Sequence, residues 1–181
     1  DATDLNASVA AAGHARAAGV TVVADVDHPT EGLERLLRQV DVLIAAEPFP
    51  QAMTGEATLS RAMRVLRGRF PQALVVVTLG AHGAVAWDGE QEVASPGFVV
   101  PVVDTTGAGD AFRAGFAVAW LAGGRDVGGL LDHANATAAL NCRAIGAQAG
   151  LPALSEVQAL LTDRAAPRSN GHGDGNAQRG R

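Results

Sequence analysis

The sequence predicts an α/β fold in which a parallel central sheet is covered by helices on both faces. Three observations carry this. Residues 20–24, 41–45 and 74–78 are short β-branched runs without polar alternation, as strands buried on both faces are. Stretches with helical spacing separate them, so consecutive strands need crossover connections and run parallel. With 48% apolar and 18% charged residues, a chain of 181 can bury one sizeable core around such a sheet.

The elements follow in order. Residues 4–18 have helical spacing and stop at Gly19, and the strand 20–24 comes next. A helix over 31–38 leads to the strand 41–45, and a helix over 59–69 leads to the strand 74–78. After Gly80 the pattern shortens to 84–87, a turn at Asp88-Gly89 and a polar strand near Glu92-Val93, which reads as a hairpin. Residues 99–103 read as a short strand or extended segment before a helix over 111–121. Helices over 127–144 and 155–161 close the domain, taken as residues 1–163. From Arg164 the composition turns polar, and 164–181 is expected to be a disordered tail with His172 solvated.

Composition excludes several chemistries. All fourteen cationic residues are Arg. Without lysine the chain cannot build a Walker A loop, a protein-kinase site or a Schiff base. A net charge of −5 argues against a general grip on nucleic acid. The single cysteine, Cys142, excludes an internal disulfide and a thiolate metal site, and reads as core packing. No apolar stretch is long enough to span a membrane, and the chain does not open on a basic stretch followed by an apolar segment, so a cytoplasmic protein is expected.

Chemistry concentrates in Asp104-Thr105-Thr106-Gly107-Ala108-Gly109-Asp110. Small residues between an extended segment and a helix let an anion approach the backbone, and the first amides of the helix carry the positive end of its dipole. Gly107, Ala108 and Gly109 are therefore candidate donors to a phosphate. Asp110 either caps the helix or accepts a proton from an attacking hydroxyl. Phosphoryl transfer needs both parts. A second loop, Thr78-Leu79-Gly80-Ala81-His82-Gly83, follows a strand where α/β sheets present ligand loops. Asn135, among alanines on a helix, is either a hydrogen-bonding core residue or a ligand contact. Asp25 and Asp27 share one strand face, as a turn signal or as groups reaching a metal or phosphate. His14, His28, His82 and His133 read as structural or solvent-facing.

The string from Asp104 to Phe112, followed by Ala114-Gly115-Phe116, resembles the C-terminal signature of the ribokinase-like (pfkB) carbohydrate kinases. The resemblance implies a Rossmann-like three-layer fold and ATP-dependent phosphorylation of a sugar hydroxyl. It makes Asp110 the general base and the amides of 107–109 the anion hole. Thr78, Gly80, Gly83, Asn135 and Thr106 become nucleotide contacts. Asp104 becomes a residue near a monovalent cation such as K⁺, completed by carbonyls of Ile145-Gly146-Ala147, although an Asx-type turn is the competing role. A sugar and ATP are the implied partners, with a homodimer in the whole protein.

One motif departs from the family. The family's N-x-x-E pair for Mg²⁺ falls on Ala46 and Phe49, so Glu47 is the carboxylate expected to substitute. The resemblance covers only the C-terminal part of the family domain, without the first strands, the lid and the N-terminal glycine signature, and a fragment is expected. Two readings stand: a sugar kinase, with a nucleoside or other alcohol as alternative acceptor, and a nucleotide-binding remnant without turnover.

Overall fold

The computed structural model describes residues 2–71 and 73–165. Five strands lie in the order β1 (Val23–Val26), β2 (Val42–Ala46), β3 (Leu74–Thr78), β4 (Ala84–Trp87) and β5 (Glu92–Ser95). β1, β2 and β3 pair in parallel, with Val23 opposite Val42 and Val42 opposite Leu74. β4 and β5 then pair antiparallel. Residues 79–83, which join β3 to β4, are too few for a crossover, so the chain must double back. The expected parallel core is present, and the hairpin makes the sheet mixed.

Seven helices occur among the described residues: α1 (Leu5–Ala17), α2 (Glu34–Leu37), α3 (Phe49–Thr54), α4 (Leu59–Arg69), α5 (Ala108–Leu121), α6 (Val127–Asn141) and α7 (Leu154–Ala165). Strand alternation divides the core in two. Leu43, Ala45, Val75 and Val77 face Leu36 and Leu37 of α2, Phe49 of α3 and Met63 and Leu66 of α4. Val42, Ile44, Val76, Ala84 and Ala86 face Phe112 and Phe116 of α5 and Leu130, Leu131 and Ala134 of α6. This is the three-layer arrangement the apolar runs imply. Asp4 caps α1 by accepting from Ala7 N (3.0 Å), and Asp126 caps α6 by accepting from Gly129 N (2.8 Å); each such cap contributes about 1 kcal/mol.

Several boundaries differ from expectation, for reasons of pairing. β1 starts at Val23, not residue 20, because its partners run from Val42; the chain before it is held by the Asp41 side chain, which accepts from Val22 N (2.8 Å). Residues 99–103 join no ladder, and Val99, Val102 and Val103 are exposed. α5 begins at Ala108, so Gly109 and Asp110 lie inside its first turn. α7 continues to Ala165, so Arg164, expected in the tail, is helical. The rest of that expected tail, 166–181 with His172, lies outside the described residues. Among the described residues no helix is long and apolar enough to cross a membrane.

Candidate functional site

The two candidate loops meet beside the C-terminal ends of β2 and β3. Thr78 closes β3, and its hydroxyl donates to the Ala45 carbonyl (3.4 Å). A 3-10 turn, Gly80–His82, follows and is closed by Leu79 N donating to Gly83 O (2.8 Å). Gly80 has φ +58° and Gly83 φ +97°, both left-handed values that favour glycine. Residues 95–98 press against this turn. A Cβ on Gly83 would lie 2.1 Å from the Ser95 carbonyl oxygen, and one on Gly97 would lie 2.3 Å from that of Ala81. Two glycines thus let backbone touch backbone.

A cleft of about 250 Å³ opens between these walls and the start of α5, just below the usual range for small-molecule sites. Thr78, Gly80, Gly83, Ala108, Gly109 and Asn135 line it, together with Phe98, Phe112 and Cys142. Six of the eleven residues proposed from sequence therefore share one cavity. Asn135 is only 6% exposed and donates through Nδ2 to Ser95 O (3.0 Å) and Ser95 Oγ (2.8 Å). Both amide hydrogens are committed to the end of β5, so what this side chain has left for a ligand is the acceptor Oδ1. Cys142 is buried as expected, and it also faces the cleft.

The turn before α5 is braced from behind. Gly107, at φ +76°, packs so closely on Ala147 that a Cβ would come within 2.7 Å of Ala147 Cα. Asp104 Oδ1 accepts from Thr106 N (2.9 Å) and Thr106 Oγ1 (2.8 Å), and Oδ2 accepts from Gly146 N (2.7 Å). The Asx-type turn is therefore formed, and the same carboxylate ties it to the Gly146 segment. Ala108 N donates to Thr105 O (3.1 Å). That leaves the amides of Gly107 and Gly109 without an internal acceptor among the described residues.

The bonds from Thr106 N, Gly146 N and the Thr106 hydroxyl, in that order, hold the Asp104 carboxyl below its ordinary value of 3.8. A depressed carboxyl contributes stability above its unfolded pKa and loses it as pH falls through the folded value. In urea titrations from pH 5 downward, Asp104→Asn is expected to give a shallower loss of stability than the parent. Equal slopes would mean that these bonds do not favour the carboxylate.

Asp110 lies outside the cleft lining, on the side of α5 toward β1. Its side chain is 79% exposed and accepts from Arg113 Nη1 (2.6 Å). Arg113 Nη2 lies 2.7 Å from Asp25 Oδ1 and 3.9 Å from Asp27 Oδ1. One guanidinium thus gathers three carboxylates. Burial raises the Asp25 carboxyl more than Arg113 lowers it. Glu47 is exposed just past β2, with its N–H donating to Thr78 O (3.4 Å). Phe49, at one of the two metal-motif positions, is fully buried and is simply core. Among the described residues no group of three or more His, Cys, Asp or Glu side chains could hold a metal ion. His133 Nδ1 bonds Gly115 O (3.0 Å), a structural role, and His14, His28 and His82 are exposed.

Sequence reading passed over Arg113, Phe98 and Arg164. Arg113 stands three residues after Asp110, a helical spacing that puts both on one face. Phe98 and Arg164 gave no local signal.

Comparison with known proteins places these features in a family context. Residues 2–154 match the model described as pfkB family carbohydrate kinase. The ribokinase of Bacillus subtilis (strain 168) is 44% identical over 107 residues, covering 59% of this chain and 34% of that protein. The structure of Arabidopsis thaliana ribokinase complexed with ribose and ATP matches with TM-score 0.72 and 30% identity, over 85% of this chain and 51% of that one. A double mutant of the Vibrio cholerae O395 fructokinase, in its fructose-, ADP- and potassium-bound form, matches with TM-score 0.70 and 27% identity, over 84% of this chain and 54% of that one. The alignment thus spans about a third of the Bacillus ribokinase and about half of each solved chain.

Proposed function

The chain belongs to the pfkB family of carbohydrate kinases, and we propose that it carries the nucleotide cleft and the base of an ATP-dependent phosphotransfer to a sugar hydroxyl. The observation that supports this most is the first turn of α5, with Gly109 on the cleft and Asp110 on the opposite, solvent-open side. A phosphoryl group held at that helix end would lie between a donor in the cleft and an acceptor beside the carboxylate.

Each residue then has a task. Asp110 takes the proton of the acceptor hydroxyl as its oxygen attacks the terminal phosphorus of ATP and the bond to ADP breaks. The amides of Gly107 and Gly109 stabilise charge on the transferring group. Thr78, Gly80 and Gly83 cradle the nucleotide, Asn135 offers it Oδ1, and Thr106 contributes through the turn it shares with Asp104. Arg113 orients Asp110 through the 2.6 Å bond. A single exposed carboxylate fits a hydrated Mg²⁺ bound mainly by phosphate oxygens, and Glu47 is the residue that would hold it; when bound, the ion neutralises phosphate charge. Asp104 has three of about four lone-pair directions committed, so carbonyls near Gly146 would supply most of a K⁺ site.

The second reading, a nucleotide-binding module without turnover, is favoured by one observation: Asp110 is already paired with Arg113. ATP consumption against ketoses, aldoses, sugar acids and nucleosides, measured beside binding of the fluorescent nucleotide mant-ADP, separates the two. Turnover with one acceptor class supports the kinase. Binding with no turnover across the panel supports the module, and no binding removes both.

A further inference from the structure

The cleft wall at residues 95–98 belongs to no described strand beyond Ser95 and to no helix, yet it defines one side of the cavity through Gly97 and Phe98. What fixes it comes from the last turn of α7. Arg164 Nη2 donates to Pro96 O (2.7 Å) and to Gly97 O (2.9 Å), and Nη1 donates to Asp132 Oδ1 (2.9 Å). The guanidinium carbon sits 3.3 Å above the centroid of the Phe98 ring. Asp132 Oδ1 also accepts from Ser95 Oγ (2.6 Å), and Ser95 Oγ in turn accepts from Asn135 Nδ2. One cation therefore connects the Pro96 and Gly97 carbonyls of the wall, its aromatic face and, through Asp132 and Ser95, the Asn135 amide that also lines the cleft.

We propose that Arg164 is a positioning residue of the nucleotide cleft, clamping residues 95–98 against the Gly80–Gly83 turn at the separation nucleotide binding requires. The proposal rests on the nucleotide reading of this cleft. Three features support it. Ladder pairing holds the wall as far as Ser95, opposite Ala84; beyond it the wall meets the turn backbone to backbone at the two glycines described above, where no side chains interlock. Guanidinium geometry is needed, because a planar fork can lie flat on Phe98 while donating to both carbonyls and to Asp132, and an ammonium cannot do all of these. The clamp touches the cleft from behind: Arg164 itself does not line it, so its effect on a ligand would pass through the wall.

Two readouts test it, one of them independent of nucleotide. Mant-ADP affinity reports the site, and the rate of Cys142 modification by a maleimide reports the wall, since Cys142 is the only cysteine and is buried in the cleft. Arg164→Met is expected to weaken mant-ADP about tenfold, as loss of charge-assisted hydrogen bonds does, and to speed Cys142 labelling. Arg164→Lys, which keeps the charge, is expected to fall between the parent and Arg164→Met in both. Glu156→Gln breaks the other α7 ion pair, Arg143 with Glu156 (2.8 Å), and is expected to change neither. Parent-like binding and labelling in both Arg164 variants would overturn the clamp. So would equal effects from Glu156→Gln, which would assign the change to α7 docking in general. If the parent binds no mant-ADP while Arg164→Met still speeds labelling, the nucleotide reading fails and the clamp on the wall stands.

Discussion

On the proposed kinase reading, replacing Asp110 by asparagine is expected to lower kcat for ATP-dependent sugar phosphorylation by about a thousandfold, the middle of the range for loss of a general base. Asparagine keeps the size of the side chain and can still fill the space beside Arg113. It cannot accept the hydroxyl proton. Because Asp110 lies outside the cleft lining, affinity for mant-ADP is expected to stay within about twofold, since surface changes away from a site rarely exceed ±0.5 kcal/mol. Initial-rate kinetics beside nucleotide titration would check the pair of results. Turnover within a few-fold of the parent would remove Asp110 from the reaction and leave it as a first-turn acid paired with Arg113.

The second large effect is steric and is expected in stability. Gly83→Ala places a methyl group 2.1 Å from Ser95 O, 2.5 Å from Gly97 N and 2.6 Å from the Pro96 carbonyl carbon, all backbone atoms. Nothing flexible is available to yield, and the residue sits at φ +97°, ψ −131°, where an L side chain is strained. Strain and overpacking together are expected to cost roughly 3 kcal/mol, which for a chain of this size lowers Tm by about 6 to 12 °C. Gly80→Ala is the matched control. It shares a positive φ, +58°, but its Cβ would meet nothing within 4 Å, so only the left-handed penalty of about 1 kcal/mol applies. Thermal melts of the two variants should differ clearly. Equal, small shifts would mean that residues 95–97 can move away from the turn at little cost.

How far the sequence could be read depended on whether a signal was local. β3 and α4 begin and end where the runs 74–78 and 59–69 do, because each combines a strong period with clear flanking residues. The two glycine-bearing loops and Asn135, which the family resemblance links through one nucleotide, line a single cleft. Pairing was not legible. The apolar run 99–103 has strand composition and finds no partner, while β1 slides toward Asp25 because β2 sets its register. α3, with two prolines around its start, has no amphipathic period to announce it. Arg164 sits where composition already looks like a tail. Its partners, Pro96 and Gly97, lie 68 and 67 residues upstream, and no window along the chain contains both ends.

That separation has a kinetic consequence. Closing a contact across 68 residues costs roughly 2 kcal/mol more in chain entropy than closing the 79–83 turn, and that cost must be met before the contact is rewarded. The sheet is expected to assemble first and the cleft wall to lock last. During refolding, Trp87 fluorescence in β4 should therefore reach its native value before Cys142 becomes protected from maleimide. Simultaneous recovery of the two signals would show that the wall forms with the sheet. If the order holds, a newly made chain passes through an interval in which its core is native and its cleft is still open.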